Sequence, residues 1–388
     1  ASYTGPNSLV RDEPVRTTYT GTLFLGAKLW EGAEVYVNPE VSGGKGLSGT
    51  VGVAGFPNGE ATRVGDPTPT PYFARYFFRQ RFDLGGETES VVADQNQLAG
   101  NRDQSSFSIT LGKMAAGDVF DDNSYSHDPR TQFMDWALMA NGAWDYPADT
   151  RGYTYGLTLE LRAPLWSMRA GTFMVPTDAN GGTFDKNFGR ASGNALELEQ
   201  DYQLFEQPGK LRLLGFVNFA NMGNYADAIN QSPSAPDVTA TRAYRTKYGF
   251  GLNWEQQITT NIGGFGRLGW NDGQSETWMF TEIDQSASLG LSIKGTRWGR
   301  KNDTFGMAGV VNGISEDHRR YLGVGGLGFI IGEGQLNYSP EGIFETFYSF
   351  GTFRYFFITV AFQHIENPAY NRDRGPANIG TLRLHCEF

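Results

Sequence analysis

The chain has 388 residues, 51 of them glycine, with 14% aromatic side chains, one cysteine and a formal net charge of −10. The lone Cys386 excludes an internal disulfide, and the acidic balance argues against wrapping a nucleic acid. No segment approaches the roughly 20 apolar residues of a spanning helix, whereas a membrane strand needs only about 9–11 residues with one apolar face. No leader is visible at Ala1, so a mature, exported form is expected.

Short alternating segments recur along the chain, the signature of strands with one apolar side. Leu23, Leu25, Ala27 and Leu29 alternate with Phe24, Gly26 and Lys28, and Ala33, Val35 and Val37 with Glu34 and Tyr36. Over 72–84, Tyr72, Ala74, Tyr76, Phe78, Phe82 and Leu84 share a face opposite Arg75, Arg79, Arg81 and Asp83. Leu157, Leu159 and Leu161 oppose Thr158, Glu160 and Arg162. Leu196, Leu198, Tyr202 and Leu204 oppose Glu197, Glu199 and Asp201. Tyr248, Phe250, Leu252 and Trp254 alternate with Gly249, Gly251 and Asn253, and Leu289, Leu291 and Ile293 with Gly290, Ser292 and Lys294. Further strands are predicted over 107–113, 165–175 (with Arg169), 209–219, 262–270, 304–312, 343–350 and 354–364. In the closing segment 381–388, Leu382, Leu384, Cys386 and Phe388 oppose Arg383, His385 and Glu387.

A soluble sandwich also alternates, but its core could not bury a charged face on nearly every strand. A water-filled lumen holds such charges. Tyr72, Tyr76, Trp166, Trp254, Trp270, Trp298 and Tyr348 fall near strand ends or among outward residues, where aromatic girdles lie. The predicted fold is therefore all-β, a single transmembrane antiparallel β-barrel over 1–388 with loops folding into the lumen. About sixteen strands are expected, one of them hidden in the glycine-rich segment 321–338. Long connections are predicted at 42–70, 85–104, 114–151, 176–193, 222–241 and 366–378.

Two segments carry a family resemblance. The first is GDVFDDNSYSHDPRTQFMDWALMANGAWDYPADTRG, residues 117–152, and the second QHIENPAYNRDRGPANIGTLRLHCEF, residues 363–388. Both resemble the carbohydrate-selective porins of the OprB type, as does GGLGFIIGEGQLNYSPEG at 325–342. The resemblance spans the chain from about 107 to its end. It implies a sixteen-stranded outer-membrane barrel of a Gram-negative bacterium, passing glucose and other small carbohydrates down a gradient. It also implies a pore narrowed by an inward loop, here 114–151, and lined by arginines and other charged or aromatic groups. The terminal aromatic Phe388 resembles the signal read by the barrel-assembly machinery. Outer-membrane lipid and lipopolysaccharide are the expected surroundings, and a monomer or a homotrimer fits equally.

The candidate pore-lining residues are Arg75, Arg79, Arg81, Asp83, Glu160, Arg162, Arg169, Glu197, Glu199, Trp136 and Trp144. Arginine presents five donors in a planar fork suited to sugar hydroxyls, and arginines facing carboxylates set a field across a pore. Phe77, Phe265 and Tyr355 also alternate inward, as aromatic platforms for a sugar ring. Asp118, Asp121, Asp122, Asn123 and Asp128 cluster oxygens that suit Ca2+, but capping and turn formation before a helix over 129–139 is the reading favoured. No cofactor is otherwise expected. The chain lacks G-x-S-x-G and H-E-x-x-H, and its histidines (His127, His318, His364 and His385) lie far apart in sequence, so no enzyme is expected. A general or anion-preferring porin is the alternative function, and a barrel adhesin or export conduit the second alternative.

Overall fold

The computed structural model describes residues 5–60, 67–353 and 355–388. In chain order the strands are β1 (Thr18–Thr22), β2 (Leu25–Trp30), β3 (Ala33–Gly44), β4 (Thr70–Asp83), β5 (Thr88–Val91), β6 (Gly100–Asp103), β7 (Ser106–Met114), β8 (Thr154–Ala163), β9 (Trp166–Phe173), β10 (Ser192–Leu204), β11 (Gln207–Met222), β12 (Ala243–Thr259), β13 (Ile262–Asn271), β14 (Gln285–Lys294), β15 (Thr304–Gly313), β16 (Glu341–Phe353), β17 (Phe356–Glu366) and β18 (Ala377–Cys386). The α-helices are α1 (Trp136–Met139), α2 (Tyr225–Gln231) and α3 (Glu316–Gly323).

Among the described residues, sixteen strands form one antiparallel sheet in sequence order, and β5 and β6 make a separate hairpin. The predicted sixteenth strand is not in 321–338. That segment begins within α3 and continues irregularly, with one isolated bridge from Tyr338 to Asn371. Ser315 caps α3 by accepting from the His318 N–H, and its buried side is Tyr321 and Leu322. The sixteenth strand is β1, which lies end to end with β2 along the single edge of β3.

Short turns join strand ends on one side, such as 31–32, 164–165, 205–206 and 260–261, and long connections such as 115–153 and 314–340 join them on the other. Porin barrels place short turns in the periplasm and long loops outside. The sheet curls round its longest connection. In that connection Arg130 reaches Thr22 on β1 and Glu40 on β3, while Arg383 on β18 donates to the carbonyls of Pro129 and Gln132.

The two faces of the wall separate as the alternation requires. Leu196, Leu198, Leu213, Phe250, Leu268, Leu289, Val311, Val360, Leu382 and Leu384 are exposed on the outside. Such a continuous apolar band is stable in lipid and not in water. Tyr76–Tyr155 and Tyr248–Trp270 pair toward the long-loop end, and Trp298–Tyr348 and Trp254–Tyr202 toward the short-turn end. These are the two expected girdles. Tyr72 is not among them. A bulge in β4 at Ala74, opposite Asn38 and Pro39, inverts the phase before it. Tyr72 therefore points inward and donates to the Glu40 carboxylate.

Candidate functional site

The inside of the sheet is occupied by the connection 115–153, and the sequence shows why it can lie there. Gly251 and Gly269 are directly paired on β12 and β13. A Cβ on either would fall 2.1 or 2.0 Å from the Asn141 side-chain amide, so only glycine lets the loop lie against the wall.

Buried acidic groups hold it there. Glu345 on β16 accepts the backbone N–H groups of Met134 and Asp135 at 2.8 and 2.9 Å. Glu255 on β12 accepts the N–H and hydroxyl of Ser124, and Glu197 on β10 accepts the Asp121 N–H at 2.7 Å. The same device anchors other connections. Glu341 accepts from Ala54, Gly55 and Ala369, and Glu282 from Ile330 and Ile331. Asp145, paired with the buried Lys247 at 3.3 Å, accepts from Trp278 and Met279. A carboxylate that accepts two adjacent N–H groups forms short, charge-assisted bonds and satisfies buried backbone.

The charged wall strands form a ladder of alternating sign. Arg169 on β9 pairs with Glu160 at 2.8 Å, Glu197 at 3.0 Å and Glu199 at 3.3 Å. Arg212 on β11 continues it to Glu199 at 2.6 Å and Glu255 at 3.1 Å. Cross-strand register makes this possible, since Glu160 and Glu197 lie directly opposite Arg169, and Glu199 opposite Arg212.

The arginines of β4 have three different fates. Arg75 holds Asp118, its Nε and one terminal nitrogen each 2.6 Å from a carboxylate oxygen. Burial alone would raise the Asp118 carboxyl, but the Arg75 guanidinium outweighs it and holds Asp118 below its ordinary value. Arg79 stacks near Tyr36 and Phe77 and donates to the Asn96 carbonyl at 3.2 Å. Arg81 pairs with Asp83 and with the Asp103 carbonyl. Arg162 does not face a lumen carboxylate from the sheet; it joins Glu89 of the β5–β6 hairpin, as does Arg102. That hairpin reaches the inner wall, where Leu98 N–H donates to the Tyr36 hydroxyl and Asn96 accepts from Asn38.

Several expectations need correction. Trp136 and Trp144 are each 2% exposed and do not present a ring to the lumen. They pack the loop interior, Trp136 on Phe56, Tyr146 and Phe280, and Trp144 on Phe120 and Tyr146. Phe265 and Phe77 are buried in the interior clusters, and Tyr355 sits exposed in the turn before β17. The helix expected over 129–139 is only α1, capped by Asp135. Asp118, Asp121 and Asp122 diverge: Asp118 meets Arg75, Asp121 meets Arg267 at 3.1 Å, and Asp122 lies 4.0 Å from Arg212. No group of three or more His, Cys, Asp or Glu suited to a metal ion occurs among the described residues. Sequence reading passed over Glu40, Arg130, Arg212, Arg267, Glu341 and Glu345, although Arg212 and Arg267 stand in predicted strands next to outward leucines.

Comparison with known proteins decides the family. The family model described as carbohydrate-selective porin, OprB family, matches residues 23–388. This chain belongs to the OprB family. No curated protein sequence matches it. Among solved structures it is similar to the high-pH structure of Pseudomonas putida OprB, with a TM-score of 0.76 at 16% identity, covering 100% of this chain and 91% of that one. It is similar also to the low-pH structure of the same protein, with a TM-score of 0.53 at 12% identity, covering 96% of this chain and 86% of that one. These identities carry the fold only. As an OprB-family member the chain is an outer-membrane β-barrel porin for sugar diffusion, and its family and fold are those of channels.

Proposed function

We propose that sugars cross this OprB-family pore through the water left between the docked loop 114–151 and the wall, with the loop as constriction. The observation that carries this is the loop's attachment by buried carboxylates on β10, β12 and β16. A constriction fixed in this way presents a constant shape to the solute. Arg79 is the β4 arginine best placed to meet a sugar, because its carboxylate partner Glu34 lies at 3.9 Å, whereas Arg75 and Arg81 are held by Asp118 and Asp83 at 2.6 and 2.9 Å. The ladder from Glu160 to Glu255 supplies the opposing field. Passage exchanges part of a sugar's hydration for weak polar contacts, and binding stays weak enough for release. No catalysis is assigned, and no ion beyond the protein's own charges. The small carbohydrate is the partner in transit, lipid and lipopolysaccharide surround the outer face, and β18 with the Phe388 that follows it is the segment offered to the assembly machinery.

Liposome swelling tests the reading. Vesicles containing the protein should swell in isotonic glucose, faster than in larger oligosaccharides. Swelling without any size or sugar preference, together with strong anion selectivity under a salt gradient, would make it a general anion porin.

A further inference from the structure

On the short-turn side of the docked loop, the lumen keeps a cavity of about 140 Å³. Its roof is Arg130 and Thr131 of the loop. Its wall is a row of hydroxyls: Thr304 on β15 lies directly opposite Ser349 on β16, which lies directly opposite Thr359 on β17. Adjacent strands stand about 4.8 Å apart, so the row presents hydroxyls at steps comparable to the span of a pyranose. Each hydroxyl both donates and accepts. Thr359 is nearly fully buried, donates to Ser349 at 3.0 Å and accepts from Arg383 at 3.4 Å, so Thr304 and Ser349 are the members of the row with capacity left for a ligand. Asn302 adds a side-chain amide at the rim.

One member of this wall is out of place in a merely solvated surface. Phe357 lies two residues from Thr359, on the lumen side of β17, opposite His385 of β18. The two rings are 6.2 Å apart at their centroids and inclined at 38°. Phe357 is only half-buried and belongs to neither interior apolar cluster. Core packing therefore does not account for it. An apolar ring beside hydroxyls, an amide, a guanidinium and the His385 imidazole with its partner Glu387 at 3.2 Å is the composition of a small-ligand site. It matches a ligand with one apolar C–H face and a polar edge.

We propose that this cavity is a saccharide subsite, in which a pyranose leaving the constriction lays its C–H face on Phe357 and its hydroxyls against Thr304 and Ser349. The proposal rests on the sugar-pore reading and adds a resting place to it. Such a site favours a ring over an open-chain polyol, because only the ring offers a flat apolar face.

The test is block of single-channel current by glucose and by sorbitol. The wild type should be blocked at lower concentration by glucose. Phe357→Ala should weaken glucose block about three- to tenfold, leave sorbitol block nearly unchanged, and so abolish the ring preference. Phe357→Trp should retain it, and Thr304→Val should weaken block by both solutes. Heat-shifted gel mobility establishes that each variant is a folded barrel. If Phe357→Ala does not fold, Phe357→Leu with Thr304→Val carries the test. Folded Phe357 and Thr304 variants with wild-type block, beside a wild type that glucose does block, would overturn the subsite alone. A wild type that glucose neither blocks nor crosses would overturn the sugar-pore reading and the subsite with it.

Discussion

Asp121 is the point at which the loop is most exposed to a single change. One of its carboxylate oxygens accepts from Arg267 Nε at 3.1 Å and from the Asn253 amide at 2.7 Å, and the other from the Asn141 N–H at 2.7 Å. Arg267 is 3% exposed, and its other donors go to the carbonyls of Leu138, Asp121 and Ser126. All of its partners thus belong to the loop. Removing the carboxylate strands a buried guanidinium, at a cost of about 3–5 kcal/mol. Undocking the loop relieves that cost by letting water reach Arg267. The docked-to-undocked ratio should therefore fall by at least about a hundredfold, at about 1.4 kcal/mol per decade. Asp121 has φ +59, a region that Asn enters easily and Ala does not, so Asp121→Asn is the cleaner change. Planar-bilayer recordings should show larger and noisier unitary currents and weaker sugar block for Asp121→Asn, and more so for Asp121→Ala. Adding Arg267→Gln should restore part of the wild-type behaviour, since it removes the stranded charge. Quiet, wild-type currents from folded Asp121→Ala would refute the view that this pair holds the loop.

Four further outcomes are expected. A Cys386→Ser protein carrying Arg79→Cys should react with a water-soluble thiol reagent and lose current, while Phe78→Cys should be shielded by detergent or lipid; equal labelling would mean that the β4 register is wrong. Gly269→Val should displace the loop as Asp121→Asn does, because its Cβ would meet Asn141 at 2.0 Å; unchanged conductance would place the loop elsewhere. Removing Phe388, which is 99% exposed beyond β18, should reduce the amount of assembled, heat-modifiable barrel without altering the unitary current of what does assemble. The pH dependence should come from two loop carboxyls with opposite signs. Asp118 is held low, so its bond to Arg75 persists above the ordinary aspartate value of about 3.9 and is lost only as pH falls through the depressed value. Asp135 is pushed well up by burial and by Glu345 and Glu341, so the folded form holds its proton more tightly and stability falls as pH rises through that range. Thermal loss of the heat-modifiable form should therefore become less sensitive to rising pH in Asp135→Asn.

The wall was legible because a strand in a barrel has only two environments. Wherever lipid lay on one side, as at Leu157–Leu161 and Leu382–Leu384, a period of two was sufficient. Register failed at Ala74, where one extra residue turned Tyr72 inward, and nothing in the local pattern marks that bulge. The segment 321–338 misled because glycine suits a strand and an irregular loop alike, and its course is set from a distance by Glu282. The candidate site was half legible. Charges such as Arg169 and Glu199 met as alternation placed them, since opposite signs on neighbouring strands pair by register alone. The loop tryptophans did not, because Trp136 is buried by Phe56 and Phe280, far along the chain, and Trp144 by the folding of the loop on itself against Phe120 and Tyr146. Phe357 was passed over among the neighbouring phenylalanines of its strand, where only the phase distinguishes the lumen ring from the lipid ones.

The carboxylates that fasten the loops take hold of peptide N–H groups, at Ala54, Gly55, Met134, Asp135, Ile330 and Ile331. Every residue except proline offers that group. For these bonds fastening and lining are written in separate parts of the molecule, the first in acidic positions of the wall and, at Glu282, of the connection before β14, the second in the side chains that the loop displays away from Asp118 and Asp121. A lineage of such pores can exchange its filter while keeping its frame, and an engineer can do the same, provided that Asp118 and Asp121 are retained and proline is kept from the gripped positions.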